Sequence, residues 1–173
     1  KRRVTTKNHE NDHPIVLTSN RIIPKIDFDD VELGEVLGRG GFGYVCIAKW
    51  KSKNKEVACK IIEVSSNSQT SKDLQRSFIL ELAAYRELSG PYILRTYAYA
   101  MNQIPASRIR SATTQYMILM ELMARGSLQN LLENQPKQIS LRRKLAMARQ
   151  IASAMRRIHQ HGIVHRDIRP DNI

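Results

Sequence analysis

Three glycines, at positions 38, 40 and 43, fall between two stretches that both read as strand. Ahead of them Val31-Glu32-Leu33-Gly34-Glu35-Val36-Leu37 alternates apolar and other residues, and behind them Tyr44-Val45-Cys46-Ile47-Ala48 does so less cleanly. Strand on both sides of a glycine cluster makes the chain reverse as a hairpin. It also separates this cluster from the dinucleotide-binding fingerprint of the same spacing, which opens a helix. A third strand over residues 56–63 follows a polar turn at 51–55, so the chain begins as an antiparallel meander.

Helical spacing comes next. Leu74, Phe78, Leu82, Tyr85 and Leu88 recur every three or four residues, with Gly90 as a stop. Residues 93–100 and 116–120 supply two more strands, with a long polar loop at 102–114 between them. Ser127 caps a short helix from Leu128 to about Asn134. A longer one starts behind Ser140, carries Leu141, Leu145, Ala148, Ile151, Met155 and Ile158 as one stripe, and ends at Gly162. Five strands with one helix, then helices alone, predict an α+β fold: a five-stranded antiparallel lobe followed by the first helices of a helical lobe. Residues 1–27, polar with Pro14 and Pro24, read as a linker or N-terminal extension.

Composition matters at two points. Lys and Arg total 28 against 16 Asp and Glu, a net charge of +12, which is the footprint of a nucleic-acid binder. Eight basic residues and no acidic one lie between positions 134 and 166; residues further along an intact domain could balance much of that charge, and aromatics are not interleaved, so no nucleic-acid partner is expected. Cys46 and Cys59 are too few for a disulfide framework and suit a reducing compartment as buried small hydrophobes.

Four groups of residues can carry chemistry. Around Gly38, Gly40 and Gly43, absent side chains let the backbone close over phosphate oxygens, although an ordinary glycine-rich hairpin reads the same way. In Val57-Ala58-Cys59-Lys60, alternation puts Ala58 and Lys60 on one face. A lysine among apolar residues there needs a phosphate or a carboxylate unless it reaches solvent at an edge. The helix offers Glu81 and Glu87; Glu81 lies among Phe78, Leu82 and Tyr85 and is the better partner for Lys60, with Glu87 facing solvent. Finally the chain closes on His165-Arg166-Asp167-Ile168-Arg169-Pro170-Asp171-Asn172 and Ile173.

In this order and at these separations, over residues 28–173, the four groups resemble a eukaryotic protein kinase, similar to tyrosine-kinase-like serine/threonine kinases. The resemblance implies an enzyme that uses ATP and Mg2+ to phosphorylate a protein substrate. ATP would lie under Leu37, Gly38, Arg39, Gly40, Gly41, Phe42 and Gly43. Val45 and Ala58 would cover the adenine, and Lys60, held by Glu81, would grip the α- and β-phosphates. Met120 would be the gatekeeper, with backbone groups of Glu121 and Met123 on the adenine. Asp167 would be the catalytic base, Asn172 a magnesium ligand and Arg166 a partner for a phosphorylated activation loop, while Arg169 stands where a lysine usually meets the γ-phosphate. His165 and Tyr85 would belong to the packed spine between lobes. The implied division is an N-lobe over about 28–120, a hinge over about 121–126 and a partial C-lobe over about 127–173.

Arginine at 169 departs from the serine/threonine pattern, but Pro170 and Asp171 keep it, which favours a serine or threonine acceptor. No Asp-Phe-Gly or activation segment follows Asn172, so the chain reads as truncated after its catalytic loop and inactive alone. The alternative is a pseudokinase or truncated kinase-like binding or scaffold module. The domain is expected to face the cytoplasm. The basic start Lys1-Arg2-Arg3 allows a membrane tether only if a membrane segment lies upstream.

Overall fold

The computed structural model describes residues 21–40, 43–65, 69–107, 111–134 and 139–173. They form two compact units. One holds Ile22–Arg86 and Leu94–Leu122, and the other holds Glu87–Ile93 and Met123–Ile173 together with Arg21.

The first unit is a five-stranded antiparallel sheet with one long helix. Strands β1 (Val31–Gly40), β2 (Gly43–Trp50) and β3 (Lys55–Ser65) make the meander, α1 (Gln69–Glu87) follows, and β4 (Thr96–Ile104) and β5 (Thr113–Met120) complete the order β1-β2-β3-β5-β4. The sheet therefore returns through α1 and places β5, the last strand, against β3 in its middle. Both central strands are buried on both faces, which explains why 116–120 is an unbroken apolar run rather than an alternating one.

Alternation in β3 sorts the core into two. Val57, Cys59 and Ile61 join Met117 and Leu119 on one face with Trp50 and Ala98. Ala58, Ile62 and Val64 join Tyr116, Ile118 and Met120 on the other, where Phe78 of α1 packs onto Tyr116 with ring centroids 4.4 Å apart. Each fully buried Ile, Leu or Met here is worth about 2 kcal/mol of hydrophobic transfer.

Two local devices hold the sheet's ends. Asp30 accepts from the Trp50 indole at 2.7 Å and from both the amide and the hydroxyl of Ser52, at 2.8 and 2.6 Å. These bonds, the Ser52 hydroxyl foremost, lower its carboxyl pKa. At the far edge, residues 24–26 lie parallel to β4: Tyr99 donates its amide to the Pro24 carbonyl at 3.0 Å, and Ile26 donates to the Tyr99 carbonyl at 2.9 Å.

The second unit carries α2 (Leu128–Asn134), α3 (Leu141–Gln160) and a short 3-10 turn, Pro170–Asn172. Ser127 Oγ accepts from the Asn130 amide and Ser140 Oγ from the Arg143 amide, so both predicted caps are present. Gly162, at φ +70°, ends α3 in the left-handed region, and the next amide returns to the Ile158 carbonyl.

Several boundaries move. β4 runs to Ile104 and β5 begins at Thr113, so the loop read at 102–114 shrinks to 105–112. Polar residues such as Asn102 and Gln115 stay in strand because the ladder pairs them with each other. Glu87, read as facing solvent, is buried at 4% exposure. Helical periodicity had referred it to the sheet under α1, whereas Glu87 groups with the residues of the second unit. Of the linker reading at 1–27, residues 24–26 pair with β4 and Ile23 is buried, while residues 1–20, with the Lys1-Arg2-Arg3 start, lie outside the described residues, as do Gly41, Phe42 and Arg108. Among the described residues no helix is long and apolar enough to cross a membrane.

Candidate active site

Lys60 sits in the middle of β3, opposite Val45 of β2 on one side and Ile118 of β5 on the other. Directly opposed residues of an antiparallel pair share a face. Val45, Ala58, Lys60, Ile118 and Met120 therefore line one side of the sheet, Met120 standing opposite Ala58. This is also the side that α1 covers. Glu81 points from α1 to the lysine and holds it with both oxygens: Nζ donates to Oε1 at 2.6 Å and to Oε2 at 2.8 Å. Both side chains keep about a quarter of their surface open, 30% for Lys60 and 26% for Glu81. The ammonium is thus oriented by its partner yet accessible to a further anion.

The glycines lie where β1 and β2 pair, next to β3 in the sheet. Gly38 pairs with Val45, Arg39 with Tyr44 and Gly40 with Gly43. The three glycines are not equivalent. A Cβ on Gly43 would lie 2.0 Å from the Ile61 carbonyl oxygen, at a φ of +150°, whereas a Cβ on Gly38 would meet nothing within 4 Å. Gly43 is required by the close approach of β2 to β3, and Gly38 has open space where a Cβ would stand. Gly43→Ala is therefore expected to destabilise the chain by about 3 kcal/mol, and Gly38→Ala to leave stability unchanged. Equilibrium denaturation followed through Trp50, the one tryptophan, measures both. Arg39 stacks its guanidinium over the Tyr44 ring at 5.4 Å, and Leu37 is 53% exposed.

In the second unit, residues 163–172 leave α3 as an exposed loop closed by Pro170–Asn172. Arg166 adopts φ +66°, the left-handed region that a non-glycine residue enters at a cost. The Asp167 amide donates to His165 Nδ1 at 3.3 Å. Asn172 Nδ2 reaches back to Asp167, donating to its carbonyl at 2.9 Å and to Oδ2 at 2.8 Å. The five-residue spacing thus sets the asparagine beside the aspartate and leaves Asn172 Oδ1 free of that contact. Arg169 Nε lies 3.4 Å from Asp171 and 4.0 Å from Asp167 in an exposed group. Among the described residues no three His, Cys, Asp or Glu side chains cluster to hold a metal.

The segment after β5 commits some of its backbone. Glu121 donates its amide to the Arg95 carbonyl at 2.9 Å, and Met123 accepts the Gly126 amide at 3.0 Å. The Glu121 carbonyl and the Met123 amide take no part in these two bonds. Cys46 and Cys59 stand opposite each other on β2 and β3, both buried, and burial pushes the Cys59 thiol up to about 12. Neither is a nucleophile.

Sequence reasoning missed one contact. Tyr85 donates its hydroxyl to Glu81 Oε1 at 2.7 Å. The signal is present in the spacing, since positions four apart on a helix are neighbours, but apolar periodicity marks Tyr85 only as a packing residue.

Comparison with known proteins follows the same outline. A protein kinase domain matches residues 31–173. The chain is 36% identical over 150 residues to a serine/threonine-protein kinase/receptor of Acanthamoeba polyphaga mimivirus, covering 86% of this chain and 8% of that protein. It is 35% identical over 144 residues to the serine/threonine-protein kinase Aurora-1 of Arabidopsis thaliana, 83% of this chain and 45% of that protein. With the human ephrin type-B receptor 4 it shares 31% over 149 residues, 86% of this chain and 14% of the receptor. The chain thus spans less than half the length of each of these relatives. On the family match across nearly all of the described chain, and on the strand, helix and loop geometry above, it belongs to the protein kinase domain family.

Proposed function

We propose that the protein transfers the γ-phosphate of ATP to a serine or threonine hydroxyl of a protein substrate. The observation that carries the reading is the two-oxygen grip of Glu81 on Lys60, in mid-sheet, with open space at Gly38 two strands away. A lysine so placed holds its charge where phosphate oxygens can reach it, and phosphoryl transfer relies on such positioning and electrostatics.

The other residues take roles suited to their surroundings. Val45, Ala58 and Met120 offer an apolar face for adenine, and the Glu121 carbonyl and Met123 amide offer it hydrogen bonds. Leu37 and the backbone of 38–43 would cover the phosphates. Asp167 would take the proton of the acceptor hydroxyl, and Arg169 would meet the γ-phosphate, since an exposed pair with Asp171 is readily exchanged. Magnesium would enter with the nucleotide and neutralise phosphate charge. Asn172 Oδ1 is a hard oxygen of the kind that ion prefers, so the residue fits as one ligand.

Residues 28 to about 120 would then be the nucleotide-holding lobe, 121–126 the hinge and 127–173 the start of the helical lobe, a reading supported by the division between Leu122 and Met123. A cytosolic site of action suits an ATP user; a membrane tether would require a segment upstream of residue 1. The serine/threonine assignment draws on Pro170 and Asp171 and on the names of two of the relatives.

The test is transfer from γ-labelled ATP with magnesium by the full-length protein, with the acceptor amino acid identified. Label on serine or threonine is the expected result. Label on tyrosine alone would overturn the acceptor assignment, and binding of ATP without transfer to any protein would overturn the function.

A further inference from the structure

Glu81 does not hold Lys60 unaided. Its Oε1 accepts from Lys60 and from the Tyr85 hydroxyl together, at 2.6 and 2.7 Å, while Oε2 accepts from Lys60 at 2.8 Å. Residues 81 and 85 are one helical turn apart on α1, so the backbone itself brings the phenol to the carboxylate. The ring of Tyr85 packs against the cluster of Ala58, Phe78, Ile118 and Met120. Burial, with Glu81 adding to it, raises the phenol's pKa, so the hydroxyl stays a donor.

We infer that Tyr85 is a positioning residue for the Lys60–Glu81 pair: its hydroxyl ties one carboxylate oxygen to a ring anchored in the core. A glutamate side chain has three soft torsions and, being a quarter exposed, can turn to water. The phenol removes that freedom with a charge-assisted hydrogen bond, the stronger kind. It therefore fixes where the carboxylate stands and, through it, where the ammonium points. An apolar side chain at 85 would fill the same space without fixing the carboxylate.

Tyr85→Phe isolates the hydroxyl because it keeps the ring. The first readout makes no use of the catalytic role: the rate at which a small N-hydroxysuccinimide ester acylates Lys60, followed by mass spectrometry. Loosening Glu81 frees the amine, and the rate is expected to rise about three- to tenfold, the range for a hydrogen bond to a charged, partly exposed group. Tyr85→Phe in a Glu81→Gln background is expected to add little, since the hydroxyl acts through the carboxylate.

The second readout rests on the function proposed above. In the full-length protein, Tyr85→Phe should lower kcat about tenfold with a smaller change in the KM for ATP, because the ammonium stays present but is less well aimed. If Tyr85→Phe leaves the acylation of Lys60 unchanged, or acts as strongly in the Glu81→Gln background, the inference is wrong. It is equally wrong if Tyr85→Leu perturbs Lys60 and Tyr85→Phe does not, since the ring alone then matters. Should Lys60 respond as expected in a protein that transfers no phosphate, the positioning stands and the proposed function falls.

Discussion

Asp167→Asn, made in the full-length protein, is expected to slow phosphoryl transfer about a thousandfold while leaving ATP binding close to normal. General-base catalysis by a positioned side chain is worth about 10² to 10⁴, and asparagine removes the proton acceptor without altering the shape. The amide oxygen that replaces Oδ2 can still accept from Asn172 Nδ2, now at 2.8 Å, so the loop keeps its internal closure. The lost attraction to Arg169, 4.0 Å away and exposed, costs little. Single-turnover rates at saturating ATP separate the chemical step from binding. A residual rate within tenfold of the unsubstituted protein would remove Asp167 from the role of base.

Lys60→Met should produce the other large loss, about 10² to 10³ in the same rate. Methionine keeps the unbranched apolar stem of lysine, one atom shorter, but carries no charge to place against phosphate oxygens. Its structural cost is modest. Glu81 loses its cation yet keeps the Tyr85 hydroxyl and a quarter of its surface in water, so about 1 kcal/mol of stability is at stake. Lys60→Arg is not expected to rescue transfer, because a planar fork cannot occupy the point that Glu81 holds with two oxygens 2.6 and 2.8 Å from one nitrogen. If Lys60→Met retained half the rate, the lysine would be structural and the proposed mechanism wrong.

The parts of this molecule legible from sequence were those governed by local rules. Ser127 and Ser140 announced their helices because a hydroxyl at the cap serves an amide three residues on. Gly162 announced an end because the chain there needs a left-handed residue. The Lys60–Glu81 contact was legible because two periodicities, two in the strand and 3.6 in the helix, each put one member of the pair on its apolar side.

Where the determinant was another segment, the reading slipped. Asn102 and Gln103 are polar and read as loop, yet the ladder between β4 and β5 keeps them extended. Helical periodicity points Glu87 to solvent because it refers only to the sheet beneath α1, yet the residue is buried. The different demands on Gly38 and Gly43 are invisible in sequence, since the approach of β2 to the Ile61 carbonyl and the +150° φ at Gly43 distinguish them. Likewise the Tyr85 hydroxyl was hidden behind its own ring, because a pattern of apolar spacing counts tyrosine as bulk.

The short parallel pairing of residues 24–26 with β4 bears on how this protein can be handled. β4 is an edge strand of the sheet, and its Tyr99 spends both amide and carbonyl on that segment. Trimming the chain to begin at Asp27 would leave those two groups bare on an edge that other polypeptides can join. Aggregation would then follow from the choice of starting residue rather than from any weakness in the core. Ile23, buried at 8% exposure, is the latest position from which a well-behaved protein should start.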